Sequence, residues 1–210
     1  MKLLLTILLA LSLSSCDAAT DFMYENFSLQ KNIDMADEES RKNINGDFKL
    51  DDFGYIFPPN VGRFIQNGFT YQAAIDDEAY NEDVTKLPAG KKADIYLHKD
   101  ANTIYVEAEN TSGTEIDILD APLTFIEISA FELEDMSFDL AGIEMGDALY
   151  EMQAKVPDKE FIELRQNSKD LQNDQYYMYL NGKYVVIYTL YQGKLSQVEI
   201  IPNERLADYE

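Results

Sequence analysis

Residues 175–201 read QYYMYLNGKYVVIYTLYQGKLSQVEII, and this stretch decides the fold. Runs rich in apolar and aromatic residues are separated by Asn181-Gly182 and by Gln192-Gly193. Asn-Gly between two such runs favours a tight hairpin, because both turn positions take a positive φ. The pattern therefore predicts an antiparallel meander with strands at 175–180, 183–191 and 194–201.

The turns also predict which side chains share a face of this meander. A two-residue turn at Asn181-Gly182 puts Tyr179 opposite Tyr184, and the same rule at Gln192-Gly193 puts Val185 opposite Ile200. The side expected to be the core then carries Tyr176, Met178, Val185, Ile187, Val198 and Ile200. The other side carries Tyr177, Tyr179, Tyr184, Val186, Tyr188, Gln197 and Glu199.

An earlier part of the chain repeats this plan. Residues 93–97 alternate, 99–102 predict a turn, 103–107 alternate back, and an extended run covers 123–128. Pairing Ile95 with Val106 and Leu97 with Ile104 defines the core side of this meander. The opposite face then carries Tyr96, His98, Tyr105 and Glu107.

A short helix is predicted before each meander. Pro58-Pro59-Asn60 indicates a helix start with Asn60 as its N-cap, and Asn67-Gly68 indicates its end. The second helix is predicted from the spacing of Met145, Leu149, Met152 and Val156, with Asp147 as its cap and Pro157 as its limit. Phe48-x-Leu50 before the first helix matches Phe138-x-Leu140 before the second.

These patterns predict an α+β fold of two repeated units, each a helix packed on an antiparallel β-meander. We expect the first unit at 47–130, the second at 131–203 and a C-terminal tail at 204–210. Residues 16–46 are expected to form a tether, with a short helix near 36–44, so that ordered structure begins near Phe48.

The first sixteen residues predict where the protein lies in the cell. Lys2, an apolar run from Leu3 to Leu13, and small residues before Cys16 are typical of a signal peptide, and the run is too short for the about 20 residues of a membrane span. The segment resembles a bacterial lipoprotein signal of residues 1–15 that ends in a lipobox. The resemblance implies that Cys16 becomes the mature N-terminus and carries acyl chains such as palmitate. A lipid-anchored location at the bacterial cell membrane, facing outside the cytoplasm, follows as the expectation.

Charge and cysteine content narrow the possible partners. The chain has 17 basic and 39 acidic residues, a formal net charge of -22, and such a polyanion is repelled by nucleic acid. Cys16 is the single cysteine, so a lipidated chain keeps no thiol for a disulfide or a nucleophile. We expect no nucleic-acid partner, no cofactor and no metal.

Catalytic motifs are missing from the sequence. It contains no G-x-S-x-G, P-loop, G-x-G-x-x-G or H-E-x-x-H pattern, and its single histidine, His98, is expected in a solvated hairpin. Two carboxylates could still perform hydrolysis, but no pair stands out. The acidic runs around 76–83 and 132–135 lack the ligand spacing of an EF-hand loop, so they are interpreted as solvated loops rather than calcium sites.

A resemblance to known families adds to this interpretation. The tandem helix-plus-meander plan after a lipobox resembles the beta-lactamase inhibitor protein fold, and one unit is similar to small outer-membrane assembly lipoproteins of the SmpA/OmlA type. A broad group of uncharacterised bacterial lipoproteins is also similar, through VGRFIQNGF at 61–69 and AGIEMG at 141–146. None of these resemblances supplies a catalytic residue.

The expected function is therefore binding by a membrane-anchored, non-enzymatic envelope lipoprotein. Tyrosine offers a large contact area with a polar tip, so the tyrosine-rich sheet faces could hold a protein or peptide partner. These faces could instead be covered by the other unit or be wetted surface. A structural or assembly lipoprotein and a carboxylate-based hydrolase are the two alternative functions. The candidate binding residues are Tyr96, Tyr105, Tyr177, Tyr179, Tyr184 and Tyr188.

Overall fold

The computed structural model describes residues 36–76, 78–164 and 173–209. Of these residues 46% lie in strands and 16% in helices, so the fold is mixed α+β and mostly sheet. The predicted lipidation site Cys16 and the signal peptide lie outside the described residues.

Three short α-helices are present in the described ranges: α1 at Glu38–Lys42, α2 at Val61–Gln66 and α3 at Leu149–Lys155. Asn60 caps α2 as predicted, because its side-chain oxygen accepts a hydrogen bond of 3.0 Å from the backbone N–H of Arg63. The predicted cap of α3 is wrong. Ala148 holds the N-cap position, and Asp147 instead accepts hydrogen bonds from the backbone N–H of Glu144 and from Lys155.

Fifteen strands form three sheets in the described part of the chain. Their bounds are β1 Asn43–Ile44, β2 Phe48–Leu50, β3 Phe53–Tyr55, β4 Thr70–Ile75, β5 Lys86–Leu87, β6 Lys92–Lys99, β7 Asn102–Glu109, β8 Ile116–Asp117, β9 Leu123–Ser129, β10 Phe138–Leu140, β11 Ile143–Glu144, β12 Ile162–Glu163, β13 Asn173–Leu180, β14 Tyr184–Tyr191 and β15 Lys194–Pro202. Two 3₁₀ helices cover Ile118–Asp120 and Asn203–Asp208.

The large sheet has nine strands and runs through both halves of the chain. Its order is β1-β13-β14-β15-β9-β7-β6-β4, with β12 beside β13. All neighbours are antiparallel except β1 and β13. The halves meet where β9 pairs with β15, so the two predicted meanders form one continuous sheet.

A smaller sheet also joins the halves. Its order is β11-β10-β2-β3, and Phe138 of β10 pairs with Leu50 of β2 while Leu140 pairs with Phe48. The two matching Phe-x-Leu segments of the sequence are therefore direct antiparallel neighbours. A third sheet consists of β5 and β8 alone.

One face of the large sheet, here called the core face, buries the main hydrophobic core. Val61 and Phe64 of α2, Met152 of α3 and the small sheet pack in the same cluster as its side chains. Tyr55 of the small sheet stacks on Phe64 with ring centroids 4.4 Å apart. The opposite face, here called the outer face, carries a second and smaller apolar cluster that includes the 3₁₀ helix Asn203–Asp208 through Leu206.

The predicted register of the last meander is wrong on β14. The loop has three residues rather than two, because Leu180 pairs with Tyr184 across Asn181-Gly182-Lys183. A shift of one residue turns every side chain of a strand to the other face. Val186 and Tyr188 therefore lie on the core face and Val185 and Ile187 on the outer face, the reverse of the prediction.

A β-bulge restores the predicted faces on β15. The Gln192-Gly193 turn has two residues as predicted, but the register shifts between Thr189 and Leu190, where Ser196 is the extra residue of β15. Val198 and Ile200 accordingly lie on the core face. In the first meander the predicted pairs, Ile95 with Val106 and Leu97 with Ile104, are confirmed.

Both ends of the described chain are more ordered than expected. The short helix predicted near 36–44 is confirmed as α1, but residues 43–44 of the predicted tether form β1, and Ile44 is buried as β1 pairs in parallel with β13. The C-terminal residues, expected to be a tail, pack on the outer face, where Leu206 is buried. An apolar residue in each segment supplies the burial that holds it on the sheet.

Candidate ligand cleft on the outer face

Strand alternation brings two of the predicted tyrosines together on the outer face. Tyr96 of β6 is the direct cross-strand partner of Tyr105 of β7, and their ring centroids are 5.4 Å apart. The Tyr105 hydroxyl donates a 2.8 Å hydrogen bond to Asp94. Burial, followed by this hydrogen bond, raises the pKa of Tyr105, so the phenol stays protonated at neutral pH. The predicted position of both residues is confirmed.

Tyr177 and Tyr179 lie on the same face at the other end of the sheet. Both belong to β13, and their rings meet edge to face with centroids 6.0 Å apart. They pack against the smaller apolar cluster beside Val185 and Ile187. Strands β14, β15 and β9 lie between β13 and β7, and Tyr105 of β7 packs against the same apolar cluster as Tyr177 and Tyr179.

Tyr184 and Tyr188 are not on the outer face, contrary to the prediction. Tyr188 is fully buried in the main core, and its ring lies 5.6 Å from that of Phe161. Tyr184 packs edge to face on Phe57 at 4.4 Å. The three-residue loop at 181–183 accounts for both misplacements, because it turns β14 over relative to the predicted register.

His98 lies beside the aromatic group rather than free in solvent. Its ring stacks on Tyr96 with centroids 6.3 Å apart, and its Nδ1 is 3.1 Å from the hydroxyl of Thr103. The side chain is half-buried, which differs from the solvated turn histidine expected from the sequence. It borders the tyrosine pair on the same face.

A surface cleft of about 410 Å³ opens next to this pair. Tyr80, from the segment after β4, extends the aromatic wall, because its ring centroid is 4.8 Å from that of Tyr96. The side chains that line the cleft are phenols, hydroxyls and carboxylates: Tyr80, Tyr96, Thr103, Tyr105, Glu127, Ser129 and Glu132.

Two carboxylates meet at the centre of the sheet. Glu127 of β9 is the cross-strand partner of Tyr105 on one side and of Glu199 on the other. Burial raises the pKa of Glu127, and the negative charge of Glu132 raises it further. Burial also raises the pKa of Glu199, against a hydrogen bond from the Tyr209 hydroxyl, and Glu127 adds to the increase. Both carboxylates are therefore costly to ionise, and of the two only Glu127 lines the cleft.

The C-terminal segment borders the carboxylates on the side of β15. Tyr209 donates a 3.1 Å hydrogen bond to Glu199, and Arg205 forms an ion pair of 2.8 Å with Glu107. The Arg205 guanidinium also lies over the ring of Phe125 at 5.2 Å. Arg205 is therefore held by its own partners and is not among the residues that line the cleft.

Sequence reasoning missed Glu127 and the C-terminal contacts, and it did not connect Glu199 with a second carboxylate. Alternation along 123–129 is enough to put Glu127 opposite the core, since Phe125, Glu127 and Ser129 share one side of β9. The pairing of β9 with β15 had no comparable signal, because some 65 residues separate them and no turn connects them directly.

Two aspartates of the acidic runs considered for calcium are engaged within the protein. Asp76 forms an ion pair with Lys91, and Asp135 accepts a 2.7 Å hydrogen bond from Asn102. In residues 36–76, 78–164 and 173–209 no group of three or more histidine, cysteine, aspartate or glutamate side chains is placed to hold a metal ion.

Comparisons with protein-family models, with curated proteins and with solved structures give no match to this chain. Within the described ranges, no helix has the length and apolar character needed to cross a membrane.

Proposed function

We propose that this protein is a non-catalytic binding module anchored at the bacterial cell membrane and facing outside the cytoplasm. The observation that carries the proposal is the cleft of about 410 Å³ on the outer face, whose aromatic wall is formed by Tyr80, Tyr96 and Tyr105. Aromatic side chains with polar tips give binding sites both contact area and orientation. Helices α2 and α3 and the small sheet do not cover this face, because their buried side chains belong to the core on the other side.

The anchor is the second part of the proposal. The short apolar run after Lys2 and the small residues before Cys16 support acylation of that cysteine. Several acyl chains, each contributing about 0.8 kcal/mol per buried CH₂, would hold the folded part at the membrane surface. A protein or peptide of the envelope is then the expected class of partner.

Capture by the purified full-length chain tests the binding role. The chain, held in detergent on a resin, is incubated with a detergent extract of envelope proteins, and the variant Tyr80→Ser/Tyr96→Ser is compared with Tyr150→Ser. Tyr150 is the matched control because it is an exposed tyrosine of α3, away from the cleft. We expect the cleft variant to lose the captured partner and the control to retain it. Equal capture by both variants would reject the cleft as the binding site.

A Cys16→Ser variant separates a binding module from a structural or assembly lipoprotein. The binding module should still capture its partner in solution, because the cleft is lined by residues between 80 and 132. An assembly lipoprotein depends on its position in the membrane and should lose its cellular effect altogether. Mass spectrometry of the wild-type chain from bacterial membranes checks the acylation itself, and an unmodified Cys16 with an uncleaved leader would contradict the anchor.

A carboxylate-based hydrolase is the second candidate, and the cross-strand pair Glu127 and Glu199 favours it. One acid with a raised pKa beside a second carboxylate is the arrangement that general acid catalysis uses. Under this alternative, Glu127→Gln would abolish hydrolysis of glycoside or peptide test substrates by the full-length chain. Under the binding proposal no such turnover is expected from the wild-type chain.

We further propose that the two halves of the fold are repeats of one helix-plus-meander unit, in the manner of the beta-lactamase inhibitor protein and SmpA/OmlA-type folds. The order of elements supports this proposal, since β2, α2, β6, β7 and β9 recur as β10, α3, β13, β14 and β15. The pairing of β2 with β10 and of β9 with β15, each antiparallel, also supports a two-fold relation between the halves.

A further inference from the structure

We propose that the outer-face cleft binds an organic cation, with an alkylammonium or guanidinium group held between the wall of Tyr80, Tyr96 and Tyr105 and the carboxylates of Glu127 and Glu132. The inference rests on the proposed binding function and specifies the chemistry of its ligand. Three properties of the cleft carry it: the sign of its charge, the arrangement of its rings and its size.

The charge of the cleft is negative and is not balanced by the cleft's own residues. Two glutamates line it, and no lysine, arginine or histidine does. Across the described residues, neither Glu127 nor Glu132 takes part in an ion pair, whereas the nearby Arg205 is held by Glu107 at 2.8 Å. A cation entering the cleft would supply the missing counter-charge, and a neutral ligand would leave the two carboxylates unpaired.

The three tyrosine rings of the wall are tilted against one another, as the rings of aromatic cages for organic cations commonly are. Tyr80 and Tyr96 are tilted by 49° and Tyr96 and Tyr105 by 51°, so successive ring faces turn around the cleft instead of stacking flat. A cation within about 6 Å of such a ring face is attracted by the ring quadrupole. The fold already uses this contact elsewhere, because Arg205 lies over Phe125 and Lys99 lies 5.1 Å from the centre of the Phe53 ring.

Size and donor set separate an organic cation from a metal ion. A cleft of about 410 Å³ falls in the range of small-ligand pockets, about 300–1,000 Å³, and is far larger than a single ion needs. A metal would need three or more closely placed ligands, and the described residues offer no such group. The hydroxyls of Thr103 and Ser129 can accept further N–H donors from an ammonium or guanidinium group.

Protonation of the floor should then weaken binding. Burial and Glu132 raise the pKa of Glu127, and Glu199 faces it from β15. The other titratable or charged groups around it are Asp94 and His98 of β6, Tyr105 and Glu107 of β7, and Arg205 and Tyr209 of the C-terminal segment. A bound cation stabilises the ionised carboxylate, so affinity should rise with pH through the pKa of Glu127.

Titration calorimetry on the full-length chain in detergent tests the inference with defined probes. The probes are Nα-acetyl-lysine methylamide, which mimics a peptide side chain, and spermidine, a free polyamine; Nα-acetyl-norleucine methylamide is the neutral isostere. We expect at least one amine probe to bind, the isostere not to bind, and affinity to fall as salt is added. Preference for the lysine derivative would indicate a basic peptide partner, and preference for spermidine a free amine.

Charge-removing variants locate the site. Glu127→Gln/Glu132→Gln should weaken amine binding at least tenfold, and Glu115→Gln, which changes an exposed carboxylate in a loop outside the cleft, should not. The inference is overturned if no amine probe binds, or if the double variant binds as tightly as the wild type. If capture from the envelope extract still depended on Tyr96 in that case, the binding function would stand with a ligand of another class. If capture no longer depended on Tyr96, the inference and the proposed binding function would both fail.

Discussion

At the scale of single residues, buried polar groups affect the stability of this fold according to whether they have a hydrogen-bond partner. Tyr188 and Tyr55 are both fully buried in the main core, but their hydroxyls differ. Tyr55 accepts a 2.9 Å hydrogen bond from the side chain of Asn67, whereas the Tyr188 hydroxyl has no hydrogen-bond partner within the described part of the chain. An unpaired buried hydroxyl costs free energy, so the native fold retains a local cost at Tyr188.

Replacing each tyrosine by phenylalanine should therefore have opposite effects. We expect Tyr188→Phe to leave the free energy of unfolding unchanged or to raise it by about 1 kcal/mol, because it removes an unpaired polar group. Tyr55→Phe should lower it by about 1–2 kcal/mol, because the buried Asn67 amide loses a partner. Urea unfolding followed by far-UV circular dichroism measures both. Equal losses in the two variants would mean that the Tyr188 hydroxyl is paired.

Glu199 makes stability depend on pH in a defined direction. Burial raises its pKa in the folded chain, the Tyr209 hydrogen bond partly offsets this, and Glu127 adds to it. Between the ordinary glutamate pKa of about 4.3 and the raised folded value, the folded state binds the proton more tightly than the unfolded state. Stability should therefore fall as pH rises through that window, since the folded chain must then hold a buried charge.

Glu199→Gln removes that charge and keeps an oxygen to accept from Tyr209. We expect the variant to be more stable than the wild type by about 1 kcal/mol at pH 7, with the advantage disappearing near pH 4. Urea midpoints measured across this pH range check the prediction. Glu115→Gln serves as the control, because its carboxylate is exposed. A constant difference between the variant and the wild type at every pH would contradict the assignment.

At the scale of elements, the helices are too short to be stable by themselves. Helix α2 has six residues, so its stability comes from the Asn60 cap and from burying Val61 and Phe64. Helix α1 has a similar cap, in which Asp37 accepts a 2.9 Å hydrogen bond from the backbone N–H of Ser40, but it buries no residue. Local unfolding of α1 should therefore leave the core intact.

The two caps should consequently differ in their effect on global stability. Asn60→Ala is expected to lower the free energy of unfolding by about 1 kcal/mol, because one backbone donor loses its partner at a helix that is part of the core. Asp37→Ala, the matched control, should lower it by less. The comparison uses the same urea transition, and an Asp37→Ala effect as large as that of Asn60→Ala would show that α1 is also coupled to the core.

Local chemistry explains which elements the sequence could predict. A helix cap such as Asn60, a helix end such as Asn67-Gly68 and a turn residue each affect the backbone within a few positions. The helices and strands bounded by such residues could therefore be predicted from the sequence. The loop at 181–183 looked like a two-residue turn, and one added residue, Lys183, was enough to misplace Tyr184 and Tyr188. The tyrosine pair Tyr96 and Tyr105 was predicted because it depends only on one hairpin register, which alternation fixes.

At the scale of the whole molecule, the arrangement of the two halves could not be predicted from local signals. The pairing of β9 with β15 and of β2 with β10 connects segments far apart in sequence, and their register depends on packing rather than on a turn. The β9–β15 junction also makes neighbours of Glu127 and Glu199, whereas the cleft itself is lined by residues between 80 and 132 alone. The carboxylate pair, unlike the cleft, is thus a property of the assembled sheet.

Those junctions also predict how the molecule unfolds. Ile126 of β9 pairs with Ile200 of β15, both are fully buried, and the shared core continues on either side of them. Separating the halves would expose this core and break the centre of the nine-stranded sheet, so neither half should persist alone. We expect one urea transition with the same midpoint by far-UV circular dichroism and by tyrosine fluorescence.

Ile126→Ala tests whether the junction couples the halves. The truncation should cost about 2–5 kcal/mol, and hydrogen exchange should show the protection of β6 and of β13, on opposite sides of the junction, falling together. Val84→Ala is the control, because Val84 lies at the edge of the core, only partly buried, and should cost less. If protection fell in one half while the other kept its wild-type value, the halves would be independent folding units. The Glu127 and Glu199 pair would then depend on the docking of two bodies and not on one cooperative sheet.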